Sequence, residues 1–144
     1  LKAVPGNFVD MNGKVLGTHK GIIHYTIGQR KGLGLAMGHP VFVVDIIPET
    51  NEVVIGENAD TFSKELIADK TNFMSVEHPE DGMQVIGKIR YAHKGVPCRI
   101  YMLDDDRVRV VFDEPVRAAT KGQAVVFYEN DYIVGGGTIK EIIR

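Results

Sequence analysis

The sequence has one cysteine, no tryptophan and few of the residues that build helices. A single thiol, Cys98, cannot close a disulfide within the chain, so a reducing compartment, the cytoplasm, is expected. Leucine and alanine together number 14, against 32 for valine and isoleucine. β-branched residues suit a pleated surface and restrict helices, so this imbalance argues for sheets over a helical bundle. No apolar run approaches the roughly 18 residues of a membrane span. Residues 1–20 include Pro5, Gly6, Asp10 and His19 and no long apolar stretch, so no signal peptide is expected. Neither charge dominates: 17 basic and 19 acidic residues leave a net charge of −2. That excludes a strongly basic nucleic-acid arm but not a local basic patch, because the sum hides the distribution. Glycine is plentiful, at 16 of 144 residues, and implies many turns. The length allows one domain or two small ones. The first residue is leucine, which reads as a piece of a longer protein.

Charge is unevenly spread. From Met11 to Gly38 stand four basic residues, Lys14, Lys20, Arg30 and Lys31, and no acid. From His39 to Asp69 one lysine faces seven acids. From Gly82 to Leu103 there are again four basic residues, Lys88, Arg90, Lys94 and Arg99, and no acid. Most of the chain reads as short strands. Residues 8–10 and 14–16 flank Asn12-Gly13, a hairpin signal in which both residues favour positive φ. Residues 41–47 and 52–56 form a second hairpin around 48–51. Between them a short helix is expected over 20–29, followed by a glycine-crowded loop. Further on, alternation puts Val85, Gly87, Ile89 and Tyr91 on one face of a strand and Lys88 and Arg90 on the other. Strands follow over 97–103, 108–112, 124–128 and 132–134, with Asp104-Asp105-Asp106 as a solvated turn. This spacing suits a small barrel or sandwich. A domain boundary is expected within 65–75.

The candidate chemistry is thin. The stretch GQRKGLGLAMG resembles a phosphate loop, but no Gly-Lys-Ser/Thr follows Gly28 at the Walker A spacing. Gly32, Gly34 and Gly38 are one residue too widely spaced for the dinucleotide fingerprint. Arg30 and Lys31 could still let that loop meet a phosphate closely. No histidine pair has metal-ligand spacing, and Cys98 lacks a second thiol. His19 or His24 is expected to serve as a structural hydrogen-bonding residue. Cys98 shares a strand face with Ile100 and Met102, which predicts burial as a small apolar residue over a reactive role. Gly135-Gly136-Gly137 predicts a bulge or the close approach of another backbone. From these residues alone the chain is a β-rich module with two basic patches and no self-contained active site.

The stretch PGNFVDMNGKVLGTHKGIIHYTIGQRKGLGL, residues 5–35, carries a longer pattern. With His19, Gly21, Tyr25, Thr26, Gly28, Gln29 and Arg30 in place, it resembles the segment that follows the catalytic region of bacterial tRNA 2-thiouridylases. A second set of positions is similar in order and spacing: Lys88 to Tyr91, Pro97-Cys98, Phe112 to Pro115, Gly122 to Tyr128 and Gly135 to Gly137. The resemblance implies the central and C-terminal portions only: a small β-rich domain over 1–68, then over 69–144 a six-stranded antiparallel β-barrel like those of translation factors. It implies that the nucleotide-binding domain of Rossmann-like fold and both catalytic cysteines lie upstream, so no catalytic residue is expected in this chain. The implied function is tRNA recognition within an enzyme that makes 2-thiouridine at the wobble position, using ATP, Mg²⁺ and persulfide sulfur passed on by a sulfur-relay donor protein. No cofactor is implied for this portion, nor any metal or membrane. The family's tRNA contacts fall here on Arg90, Tyr91 and Gln123. Arg30, Lys31 and Lys121 are further candidate RNA contacts; Lys121 stands where the family usually has proline, and Ala92 where a second arginine is common. The competing reading is a protein-binding β-barrel with no RNA role.

Overall fold

The computed structural model describes residues 3–74, 79–89 and 94–144. The chain divides into two compact units, Leu1–Phe62 and Ser63–Arg144. The boundary expected between residues 68 and 69 falls inside β5 (Phe62–Phe73), an unbroken strand, and the units divide at the start of that strand.

The first unit is a four-stranded sheet of β1 (Gly6–Val9), β2 (Val15–His19), β3 (Phe42–Ile47) and β4 (Glu52–Gly56), in the order β2-β1-β4-β3. Both expected hairpins form, and the parallel pairing of β1 with β4 joins them. The first turn differs from expectation in one respect. Gly13 has φ +87°, but Asn12 does not enter the positive region. Asp10 sets the turn instead: its carboxylate accepts the N–H groups of Asn12 (2.8 Å) and Lys14 (2.9 Å). An aspartate that caps its own turn in this way replaces the strained second position. The helix expected over 20–29 contracts to one 3-10 turn, Ile22–His24. Gly21 (φ +127°) and Gly28 (φ +90°) hold conformations that a helix cannot use. Phe8, Val43, Val53 and Ile55 form the core on one face of the sheet, closed over by Leu33 and Val41 of the glycine-rich loop.

The second unit is a closed six-stranded barrel: β5, β6 (Met83–Lys88), β7 (Val96–Met102), β8 (Val108–Arg117), β9 (Ala124–Glu129) and β10 (Tyr132–Ile143). Around the barrel the order is β10-β5-β8-β7-β6-β9, and antiparallel pairing of β9 with β10 completes the circle. The alternation read from the sequence is present: Val85, Cys98 and Ile100 point into the core, and Val108, Val110, Phe112, Val125 and Phe127 join them there. The strand that sequence reading misses is β5. Its residues FSKELIADKTNF give no strand signal because their apolar period breaks: Ser63, Leu66 and Ala68 are the buried ones, and Lys70 takes φ +52°. On its outer side Glu65 accepts two hydrogen bonds from Arg109 of β8, at 2.8 and 3.1 Å, with the guanidinium 5.6 Å from the Tyr101 ring centroid.

Gly135, Gly136 and Gly137 lie where β10 pairs with β9 on one side and β5 on the other. Both expectations for them hold. The register shifts around them, and the neighbouring backbones come close: an added Cβ would meet the Asn72 carbonyl oxygen at 2.7 Å, that of Val125 at 2.6 Å, and that of Asp69 at 2.8 Å. Gly136→Ala should therefore force β9 away from β10. We expect a loss of about 1–3 kcal/mol, the usual scale for overpacking, visible as a lower melting temperature for the barrel. An unchanged melting temperature would show that the strands can separate without cost.

Candidate nucleic-acid interface

The glycine-rich loop is built as a platform. The Gly28 N–H donates to the Val43 carbonyl (2.7 Å), and the Val43 N–H donates to the Gln29 carbonyl (2.9 Å), which staples the loop to the edge of β3. The Gln29 side chain works within the loop: its Oε1 accepts the Thr26 N–H (3.0 Å) and its Nε2 donates to the Lys31 carbonyl (2.9 Å). With Leu33 buried beneath, Arg30 and Lys31 are held out in solvent. No ion pair among the described residues engages either cation. Arg30, Leu33, Leu35 and His39 line an open cleft of about 360 Å³ beside them. The loop then passes through Pro40 into β3, and no helix begins there. The loop therefore lacks the helix N-terminus that Walker A and dinucleotide loops present to phosphates.

His19 is the structural histidine that the sequence suggests. It is buried, its Nε2 lies 2.7 Å from the Asn51 carbonyl oxygen, and its Nδ1 accepts the Gly21 N–H at 2.9 Å. An acceptor at Nδ1 fixes the proton on Nε2, which donates to Asn51. Phe8 and Tyr25 meet the ring edge-on, and the Tyr25 hydroxyl accepts the Lys20 N–H. Asn51 in turn donates from its side chain to the Val4 and Pro5 carbonyls. Asn51 has no visible signal in the sequence, because all three of these partners are distant along the chain.

In the barrel, Arg90 and Tyr91 lie outside the described residues. Gln123 closes a turn that starts at Thr120: its N–H donates to the Thr120 carbonyl at 3.2 Å, and Gly122 takes φ +89°. The Gln123 backbone N–H is thus spent within the turn. The Gln123 Oε1 is shielded and has no hydrogen-bond partner among the described residues. Lys121 occupies the exposed corner, a place where proline's fixed φ is also welcome. β9 pairs antiparallel with β6, Val126 opposite Lys88, so the start of β9 and the turn before it share the barrel end of Lys88. The Asp104 to Asp106 turn is solvated as expected. Hydrogen bonds from the Arg107 side chain and from the Asp106 and Arg107 N–H groups pull the Asp104 carboxyl down to about 2.

Cys98 is fully buried between β6 and β8, with Phe112 as its cross-strand neighbour. A Cβ on Gly87 would strike its sulfur at 2.9 Å. Burial, reinforced by the charge of Asp113, pushes the thiol up to about 12. No cluster of metal-ligating side chains forms among the described residues, and none of their helices is long and apolar enough to cross a membrane.

Comparison with known proteins follows the same two-unit division. Residues 1–57 match a family model described as a tRNA methyl transferase PRC-barrel domain, and residues 63–139 match one described as an aminomethyltransferase beta-barrel domain. The chain is 62% identical over 138 residues to the tRNA-specific 2-thiouridylase MnmA of Lachnoclostridium phytofermentans, covering 96% of this chain and 39% of the relative. It is 58% identical over 138 residues to MnmA of Clostridium botulinum strain Alaska E43, covering 96% of this chain and 38% of that protein. It is 55% identical over 136 residues to MnmA of Acetivibrio thermocellus, covering 94% of this chain and 38% of the relative. The chain thus spans about two fifths of the length of the curated relatives it matches.

The raised thiol gives a test of the barrel core. Between the ordinary value of 9.0 and about 12, the unfolded chain loses the Cys98 proton while the folded chain keeps it. The unfolded state then binds fewer protons, so stability falls as pH rises through that window, by at most about 1.4 kcal/mol per pH unit. Cys98→Ala should lower stability at pH 7 through poorer packing, yet flatten the decline above pH 9. Denaturant melts at pH 7, 9 and 10.5 check this; parallel declines in both proteins would mean the thiol is accessible in the folded state.

Proposed function

The chain belongs to the family of tRNA-specific 2-thiouridylases, and from that premise we propose that it is the non-catalytic, tRNA-recognition portion of a cytoplasmic enzyme that makes 2-thiouridine at the wobble position. The observation that carries this reading is the state of Cys98. Sulfur transfer from a persulfide needs an accessible, ionisable thiol, and the one thiol of this chain is sealed in the barrel core with its pKa raised to about 12. ATP, Mg²⁺ and the persulfide from a sulfur-relay donor are then handled by other parts of the enzyme. This portion contributes grip on the RNA.

Grip of this kind needs exposed cations on a fixed backbone, because phosphate contacts position a nucleic acid without reading its bases. Arg30 and Lys31 on the stapled loop, with Lys121 at the barrel turn, support that role, and the proposed contacts extend to Gln123, Arg90 and Tyr91. Arginine can hold a phosphate through two parallel charge-assisted bonds.

Two measurements test the proposal. The chain mixed with ATP and tRNA should release neither AMP nor pyrophosphate; release of either product overturns the non-catalytic assignment. Titration with tRNA at two salt concentrations should show salt-dependent binding, and Arg30→Ala should weaken it alike for different tRNAs. The salt slope of that variant should be smaller by about one unit, because it neutralises one phosphate fewer. Salt-independent behaviour, or an unchanged slope, would favour the protein-binding alternative.

A further inference from the structure

The outer face of the barrel carries a row of apolar side chains that the core does not use. Pairing fixes the row. Pro97 of β7 stands opposite Ile86 of β6, Ile86 opposite Tyr128 of β9, and Tyr128 opposite Ile133 of β10. Directly opposed residues in antiparallel strands point to the same face. That face is the outer one, because the alternate residues Val85, Gly87, Cys98 and Phe127 are buried. Pro97 is exposed, Ile133 is 45% exposed, and Ile86 and Tyr128 are half-buried. Four strands at about 4.8 Å spacing give a stripe roughly 14 Å long.

Cations flank the stripe on both sides. One step along β7 on this face lies Arg99, paired with Gln84. One step the other way along β6 lies Lys88, paired with Val126. Each is about 7 Å from the stripe, two residues along a strand. Arg99 spends one nitrogen on the Gly82 carbonyl (3.0 Å), and neither it nor Lys88 joins an ion pair among the described residues. A contiguous apolar patch rimmed by polar groups marks an interaction site. An apolar stripe with an aromatic ring at its centre and cations of one sign along both borders matches the chemistry of unpaired nucleotides, with bases and sugars on the ring and phosphates at the cations.

We propose that this face of β7-β6-β9-β10 binds an unpaired segment of tRNA, with Tyr128 stacking a base and Lys88 and Arg99 holding the flanking phosphates. The inference rests on the tRNA-recognition reading above and gives it a second, non-loop surface. The test is tRNA binding by the chain, its Tyr128→Ala, Tyr128→Phe and Lys88→Gln variants, with thermal melts to check folding. Tyr128→Ala should weaken binding roughly fivefold or more, the usual scale for removing a stack. Tyr128→Phe keeps the ring and should bind like the parent. Lys88→Gln should reduce the salt slope by about one unit. If the parent binds tRNA and folded Tyr128→Ala and Lys88→Gln bind equally well with the same slope, the stripe is overturned as an RNA surface and passes to a protein partner, while the tRNA reading stands. If the parent itself does not bind tRNA, both fall together.

Discussion

The barrel depends on how closely β10 can be approached from both sides. A closed sheet leaves no edge, so every strand needs two neighbours, and β10 must pair with β9 and β5 over most of its twelve residues. At Gly135 to Gly137 the flanking carbonyls sit where a side chain would begin. Glycine is required there by space alone, since none of the three takes positive φ. The shifts in register around them bend the strand, which lets one long element serve both closing seams. Bareness matters on β6 as well: a Cβ on Gly87 would meet both the Cys98 sulfur and the Phe112 ring at 2.9 Å.

The first unit solves a different problem, that of holding an irregular loop in one conformation without a helix. Its recurring motif residues divide by task. His19, Tyr25, Gly28 and Gln29 spend their polar groups on the chain itself, through the Asn51 carbonyl, the Lys20 N–H, the Val43 carbonyl and the Lys31 carbonyl respectively. Arg30 and Lys31, between them and Leu33, spend none of their charge on an ion pair among the described residues. A loop fixed by its own hydrogen bonds can present two cations with little ordering left to do on binding. That is where pre-organisation gains affinity.

Period and turn chemistry made much of this legible. The alternation in 85–91 and 97–103 assigned inward and outward residues correctly wherever they are described, and the burial of Cys98 followed from it. The triple glycine announced a close approach before any partner strand was known. What failed did so for physical reasons. β5 hides because Ser63, Leu66 and Ala68 are buried out of strict alternation and Lys70 takes a positive φ within the strand. The expected helix over 20–29 is cut to a single turn by two glycines in positive φ. Asp10 displaced Asn12 as the organiser of the first turn because a carboxylate accepting two N–H groups outweighs a conformational preference. The candidate sites were legible as residue types through the family pattern. Which of them are bound to their own backbone was not: the Gln123 N–H is spent on Thr120, and its side-chain oxygen is shielded.

Charge placement joins the two halves of this reading. The acidic residues of the barrel that form ion pairs do so locally, Glu65 with Arg109 and Asp104 with Arg107, and those pairs neutralise both partners. Lys88, Arg99 and Lys121 stand outside such pairs among the described residues. A net charge of −2 is a sum over the whole chain and does not prevent a local positive face. Surface pairs such as Asp104–Arg107 add little stability. Each pair removes one charge of either sign, so a positive face depends on where the unpaired cations stand, and on the proposed reading that is where RNA is met.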